Sequence, residues 1–357
     1  MLPEPLVAAL IGGVLVAYVL LGGADFGGGV WDLFAAWSPR KVRQRRAIAL
    51  NIGPIWEANH VWLIVVIVVM FVAFPVAFAS VSTALHIPLV LMLIGVVLRG
   101  TSFVFRTYDS RRESVQAGWS WVFAGASTVT PVLLGVTVGA VASGRIRHVD
   151  GVLQADFFSA WLAPFPWAVG LLTTAIFAYL AAVYLAVDTA YDPELQEDFR
   201  ARGLWASAAV FVLAWVAFGL SRSGAPQVWA GLWESAWSVP FQLVVGGVGL
   251  ACIGTLWSRR YALARALVVV QVVLVVGGWA CAQYPFIIPP DLTVYDAAGP
   301  DRVQWMLLAV LGLGSIPLVP TYAWMLWVFK GQRPLRSLTR EEGAATAATP
   351  GTATREP

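Results

Sequence analysis

Asp25, Glu57, His60, His86 and Arg99 are ionisable residues that stand inside long apolar runs of this 357-residue chain. Placing such a group in hydrocarbon costs about 2.5–3.5 kcal/mol on insertion scales, so each needs a partner or a purpose. Glu57 and His60 are three apart and share a face if the segment is helical; Trp56 and His60, four apart, do the same. A carboxylate and an imidazole so placed can pass a proton by reorientation or through one water. A structural reading stands beside this one. Pro54 suits a first helical position, which puts Glu57 in the first turn, where the helix dipole stabilises an anion. Asp25 lies in Gly22-Gly23-Ala24-Asp25-Phe26-Gly27-Gly28-Gly29, and Gly23 and Gly27 have the spacing that lets two membrane helices approach closely. Asp25 is then either a residue at a tight helix crossing or a carboxylate facing a polar path or a neighbouring arginine. Arg99, followed by Arg106, Arg111 and Arg112, either reaches the lipid–water boundary along its aliphatic stem or serves as counter-ion to Asp25 or Glu57.

The remaining candidates are sparse. His86 reads as a boundary residue and His148 as a loop residue. Haem iron is held by His, Met, Cys or Tyr, so a chain with three histidines, only His60 and His86 of them on spans, is poorly equipped to hold several haems. Cys252 and Cys281 both fall in apolar runs and read as core thiols rather than a disulfide framework. The chain lacks a cysteine cluster, a dinucleotide-binding glycine fingerprint and a P-loop.

These residues must be positioned by membrane spans. Apolar residues make up 59% of the chain and charged residues 12%, against about 25% charged in an ordinary soluble domain. Eighteen tryptophans suit a protein with two interfaces to anchor. A crossing helix needs about 20 apolar residues. Nine runs meet that need: 6–28, 54–79, 82–105, 119–142, 161–187, 203–220, 237–257, 262–282 and 303–329. Backbone groups in lipid need partners within their own segment, so the expected fold class is all-α and polytopic. The first run lacks a basic leader region and reads as the first span rather than a cleaved signal. Of 23 basic residues, 18 fall on the side of the loops after spans one, three, five and seven, and four on the other, with Arg99 inside span three. That bias puts the N-terminus outside and the C-terminus in the cytoplasm. Residues 1–330 form the transmembrane domain. Residues 331–357, rich in Ala, Thr, Gly, Pro and Glu, read as a largely disordered cytoplasmic tail. The net charge of +3 points to no nucleic-acid partner.

Four motifs carry a resemblance: Gly-Ala-Asp-Phe-Gly-Gly-Gly (23–29), Gly-Pro-Ile-Trp-Glu-Ala-Asn-His-Val-Trp (53–62), Leu-Arg-Gly-Thr-Ser-Phe-Val-Phe-Arg (98–106) and Gln-Tyr-Pro-Phe-Ile-Ile-Pro-Pro-Asp-Leu-Thr (283–293). In order and position they resemble subunit II of cytochrome bd-type quinol oxidases, over 1–330. The last looks closer to the cyanide-insensitive branch. The resemblance implies nine helices in two four-helix bundles plus one peripheral helix, in a bacterial inner membrane. It implies a partner, subunit I, that carries two haems b, haem d and the quinol site, with no haem, metal or other cofactor bound directly by this chain. Together the subunits oxidise quinol and reduce oxygen to water, drawing protons from the cytoplasm. A structural quinone and small accessory subunits are compatible with it. Glu57 matches the family's proton-path carboxylate, Asp25 the acidic residue before the glycines, and Arg99 the arginine of the third span. Trp62 matches a tryptophan beside an oxygen route. His60 stands where some relatives have Gln. The proton-path candidates are therefore Glu57, Asp25, Arg99 and His60, and Trp56, Asn59, Trp62, Gly23 and Gly27 are candidates for motif and partner packing. Two other readings stay open: a secondary transporter with an ion site at Asp25, Glu57 and Arg99, and a scaffold in which Glu57 has no proton role.

Overall fold

The structure is a computed structural model that describes residues 3–52, 56–108, 113–149 and 151–328. The start of the second motif, 53–55, and the expected tail, 331–357, lie outside the described residues. The helices are α1 (Pro3–Ala35), α2 (Lys41–Ile52), α3 (Trp56–Ala73), α4 (Pro75–Ala84), α5 (His86–Tyr108), α6 (Glu113–Ala142), α7 (Pro164–Asp188), α8 (Pro193–Gly224), α9 (Pro226–Trp229), α10 (Ser238–Trp257), α11 (Tyr261–Gln283) and α12 (Asp301–Leu326). A π-helical turn, Ala230–Glu234, follows α9. Among the described residues nine helices are long and apolar enough to cross a membrane: α1, α3, α5, α6, α7, α8, α10, α11 and α12. They match the nine runs of the sequence one for one.

Three boundaries differ from expectation for identifiable reasons. The first span continues past 28 to Ala35, because Asp32 is fully buried and matched by arginines, so its charge does not end the helix. The second run is two helices. Pro75 has no N–H to continue α3, and Phe74 leaves helical geometry at φ −130°, ψ 61°. The freed carbonyl of Ala73 accepts from the Gly299 backbone N–H at 2.8 Å. The sixth span extends back to Pro193, where the Asp192 side chain accepts from the Leu195 backbone N–H and caps the helix.

Two short antiparallel hairpins were not expected. β1 (Arg147–Val149) pairs with β2 (Val152–Gln154), and β3 (Phe286–Ile288) with β4 (Leu292–Thr293). Asp291 between β3 and β4 accepts from Arg147 Nε at 2.7 Å and from the His148 backbone N–H at 2.8 Å, tying the hairpins together. Cys252 is buried as expected, whereas Cys281 is exposed: its position on α11 faces away from the packed core, which hydropathy could not reveal.

The chain divides into two units, Met1–Ala309 and Val310–Pro357. In the first, α1 is the central helix and packs against α3, α6, α7 and α11. The core is aromatic: Tyr18, Phe26, Phe123, Phe177, Tyr179 and Phe199 are almost wholly buried. The described part of the second unit is the remainder of α12, which carries Pro317 and Pro320 within its helix.

The glycine cluster accounts for the central position of α1. A methyl group at Gly27 would stand 1.9 Å from the Phe177 carbonyl oxygen of α7, and one at Gly29 would stand 2.2 Å from Ser127 Cβ of α6. At Gly23 the Phe177 ring occupies the same space. Gly23 and Gly27 are therefore engaged within this chain.

Candidate functional site

Helix periodicity decides which polar residues of the second motif face inward. Asn59 is fully buried, Trp56 and His60 are half-buried, and Glu57 is exposed in the first turn of α3. Positions 56, 59 and 60 share one face, and 57 is turned off it. Facing them on α1 are Tyr18 and Asp25, and on α5 Arg99, all buried to within a few per cent. Asn59 Nδ2 donates to Asp25 Oδ2 at 2.6 Å and lies 3.4 Å from the Leu21 carbonyl oxygen. The structure thus brings together Asp25, Asn59, His60 and Arg99, from three spans, and leaves Glu57 on the outer surface of the chain. Glu57 and His60 are not hydrogen-bonded to each other. The His60 ring turns inward, and its Nδ1 donates to the Trp56 carbonyl at 2.9 Å.

Arg99 is 1% exposed and does not reach the boundary. Its guanidinium lies 4.5 Å from the Phe26 ring centroid, 5.7 Å from that of Phe123 and 6.0 Å from that of Trp56. Aromatic faces attract a cation through their quadrupole, so the cage offsets part of the cost of burying the charge. Asp25 is within electrostatic reach. Nε and Nη2 of Arg99, and Nε2 of His60, have no hydrogen-bond partner among the described residues. Trp62 packs as a half-buried residue against the core.

A second charged cluster escaped the sequence reading. Asp32, two helical turns beyond Asp25 on α1, is fully buried between Arg106 Nη1 at 2.9 Å and Arg45 Nε at 3.3 Å. Beside it Arg40 grips Asp198 with two hydrogen bonds, of 2.6 and 2.8 Å. Gln44 donates to the same carboxylate at 2.7 Å and accepts from Arg202 Nη2 at 2.6 Å. The seven-residue separation of Asp25 and Asp32 was the available signal, since it places both on one stripe of α1.

Among the described residues no group of three or more His, Cys, Asp or Glu is placed to hold a metal ion. The His60 ring packs against Tyr18, Phe26 and Trp56, at centroid distances of 6.3, 5.6 and 6.0 Å. His148 Nε2 is 2.8 Å from Ser80 Oγ; that hydroxyl's own hydrogen goes to the Val76 carbonyl, so the imidazole is the donor. His86 is exposed, with Nδ1 on the Thr83 carbonyl.

Residues 3–329 match the family model described as cytochrome bd terminal oxidase subunit II. The chain is 24% identical to cytochrome bd-I ubiquinol oxidase subunit 2 of Escherichia coli K12, over 90% of this chain and 93% of that one. It is 21% identical to a putative cytochrome bd menaquinol oxidase subunit II of Bacillus subtilis, over 94% and 97%. Its fold matches the structure of bd oxidase from Geobacillus thermodenitrificans with a TM-score of 0.78 at 20% identity, covering 92% of this chain and 99% of that one.

Proposed function

From the premise that this chain belongs to the cytochrome bd terminal oxidase subunit II family, we propose that it supports a haem-bearing subunit I and conducts protons to it from the cytoplasm. The chain is a multi-pass bacterial membrane protein and one subunit of a quinol:oxygen oxidoreductase. The transporter reading gives way to this family membership, which spans nearly the entire transmembrane region. The haems, two b and one d, and the quinol site belong to subunit I, where they supply electron transfer and oxygen reduction. The scarcity of histidines, three in the whole sequence, supports this reading.

The arginine-rich end, with Arg40 to Arg46, faces the cytoplasm, and the end with the two hairpins faces outward. The asymmetry of basic residues supports this orientation. The observation that carries the proton role is the buried Asp25–Asn59 pair beside Arg99, with Glu57 exposed less than one helical turn away on α3. An exposed carboxylate collects protons. The Asn59 amide fixes the orientation of Asp25, and Arg99 stands within electrostatic reach of it. Oxygen reduction consumes protons, so the two carboxylates stand as successive acceptors on the way to subunit I.

Glu57→Gln in the intact complex tests this. Oxygen consumption falls while the reduced-minus-oxidised haem spectrum persists. Unchanged turnover would leave Glu57 as an anion stabilised by its helix dipole in a scaffold subunit.

A further inference from the structure

We propose that the groove in the connection between α6 and α7 binds the headgroup of a zwitterionic phospholipid, one that carries a phosphodiester and a primary ammonium. The groove has a volume of about 350 Å³. Arg145 and Asp156 give it one charge of each sign, and Phe158, Leu162 and Pro164 give it an apolar side. A single residue anchors both charges. Arg145 Nη1 donates to the Ser159 carbonyl at 2.9 Å, and the Ser159 backbone N–H donates to Asp156 Oδ2 at 2.9 Å. Among the described residues no ion pair joins the two side chains. Arg145 keeps its other N–H groups, and Asp156 its second carboxylate oxygen, for an outside partner.

Three features select this occupant. The groove lies between the end of one span, at Ala142, and the start of the next, at Pro164, the level at which lipid headgroups stand. Phe157, Phe158 and Leu162 of the same connection are 56%, 51% and 52% exposed. Large apolar side chains that face outward beside charged ones suit the boundary between headgroups and acyl chains. The charges themselves match one headgroup. A guanidinium takes phosphate oxygens in a fork, and a carboxylate accepts from the N–H groups of a primary ammonium. A choline headgroup has no such N–H, and a glycerol headgroup brings no positive charge to Asp156. That the lipid belongs to the outer leaflet rests on the orientation proposed above; binding in the groove does not.

The intact complex, purified in detergent and stripped of lipid, is titrated with phosphatidylethanolamine, phosphatidylglycerol and phosphatidylcholine of identical acyl chains, and bound lipid is counted by native mass spectrometry. The wild type should take up one phosphatidylethanolamine about fivefold more tightly than either other lipid, the ratio expected for one charge beside a headgroup. Arg145→Gln should weaken phosphatidylethanolamine and phosphatidylglycerol alike, by about the same factor. Asp156→Asn keeps an oxygen for the Ser159 N–H, so the loop retains its shape. It should weaken phosphatidylethanolamine alone, and the preference should disappear. Equal affinity of the wild type for all three lipids, or a preference that survives Asp156→Asn, overturns the site. Glycerophosphoethanolamine, the same headgroup without acyl chains, should not compete at equal concentration, because it covers neither Phe158 nor Leu162. Full displacement by it would overturn a membrane lipid as the occupant.

Discussion

The side-chain amide of Asn59, on α3, reaches the carboxylate of Asp25, on α1, at 2.6 Å, and both groups are sealed from solvent. The bond crosses between helices 34 residues apart in sequence and fixes how α1 and α3 meet around Arg99. A hydrogen bond to a charged group contributes about 1.5–3 kcal/mol. Asn59→Leu should therefore lower the stability of the purified complex by about that amount, measured by thermal unfolding in detergent, and slow oxygen consumption as well. A variant as stable as the wild type would show that other donors already satisfy Asp25.

Close approach of α1 to α7 depends on a missing side chain. Gly27→Ala places a methyl against the Phe177 backbone, where nothing flexible can yield. Overpacking of this kind costs about 1–3 kcal/mol, occasionally more. Gly12→Ala, on the same helix with open space around it, should be close to neutral. Yield of assembled complex after extraction is the readout, and equal yields would mean that α1 can shift without loss.

Asp32 neutralises two arginines in a buried setting. Asp32→Asn keeps the shape but leaves Arg45 and Arg106 uncompensated, a change that typically costs 3–5 kcal/mol. The fraction of complex surviving a heat step, followed by gel filtration, should drop sharply. Arg45→Met should cost less, because the shorter contact of Asp32, with Arg106, remains.

The hairpins should loosen in acid. The guanidinium of Arg147 first, and then the His148 backbone N–H, hold the Asp291 carboxyl below the ordinary carboxylate value. A depressed folded value means that the tie is fully present above the ordinary carboxylate range and is lost as pH falls through the depressed one. Protection against hydrogen exchange at Arg147–Val149 and Phe286–Ile288, taken relative to the intrinsic rate at each pH, should fall over that acidic window. In Asp291→Asn the protection should be lower from the start and nearly independent of pH there.

Much was legible without coordinates. The nine spans came from the length and continuity of apolar runs, because the bilayer demands the same length of every crossing helix. The family came from motif residues in order. Asp25 and Arg99 could be picked out because a charge in hydrocarbon is conspicuous. Asp32 was not conspicuous, since it lies beyond the apolar run, and a span read by hydropathy stops where charges begin. The sequence also could not separate Glu57 from Asn59. Two residues apart, they sit about 200° around the helix from each other, and which side faces inward depends on what packs there.

Composition and hydropathy by themselves determined a helical membrane protein with nine crossings and a short set of chemically notable residues. These are one-dimensional properties: how long each segment stays apolar, and where a charge interrupts it. Only tertiary structure decided that Gly27 admits α7, that Asn59 rather than Glu57 holds Asp25, that Arg99 is caged by Phe26, Trp56 and Phe123, and that Asp32 is buried between two arginines. Each is a contact between helices distant in sequence. Such contacts follow from rotation and depth of packing, which the periodicity of any one helix constrains and its neighbours fix.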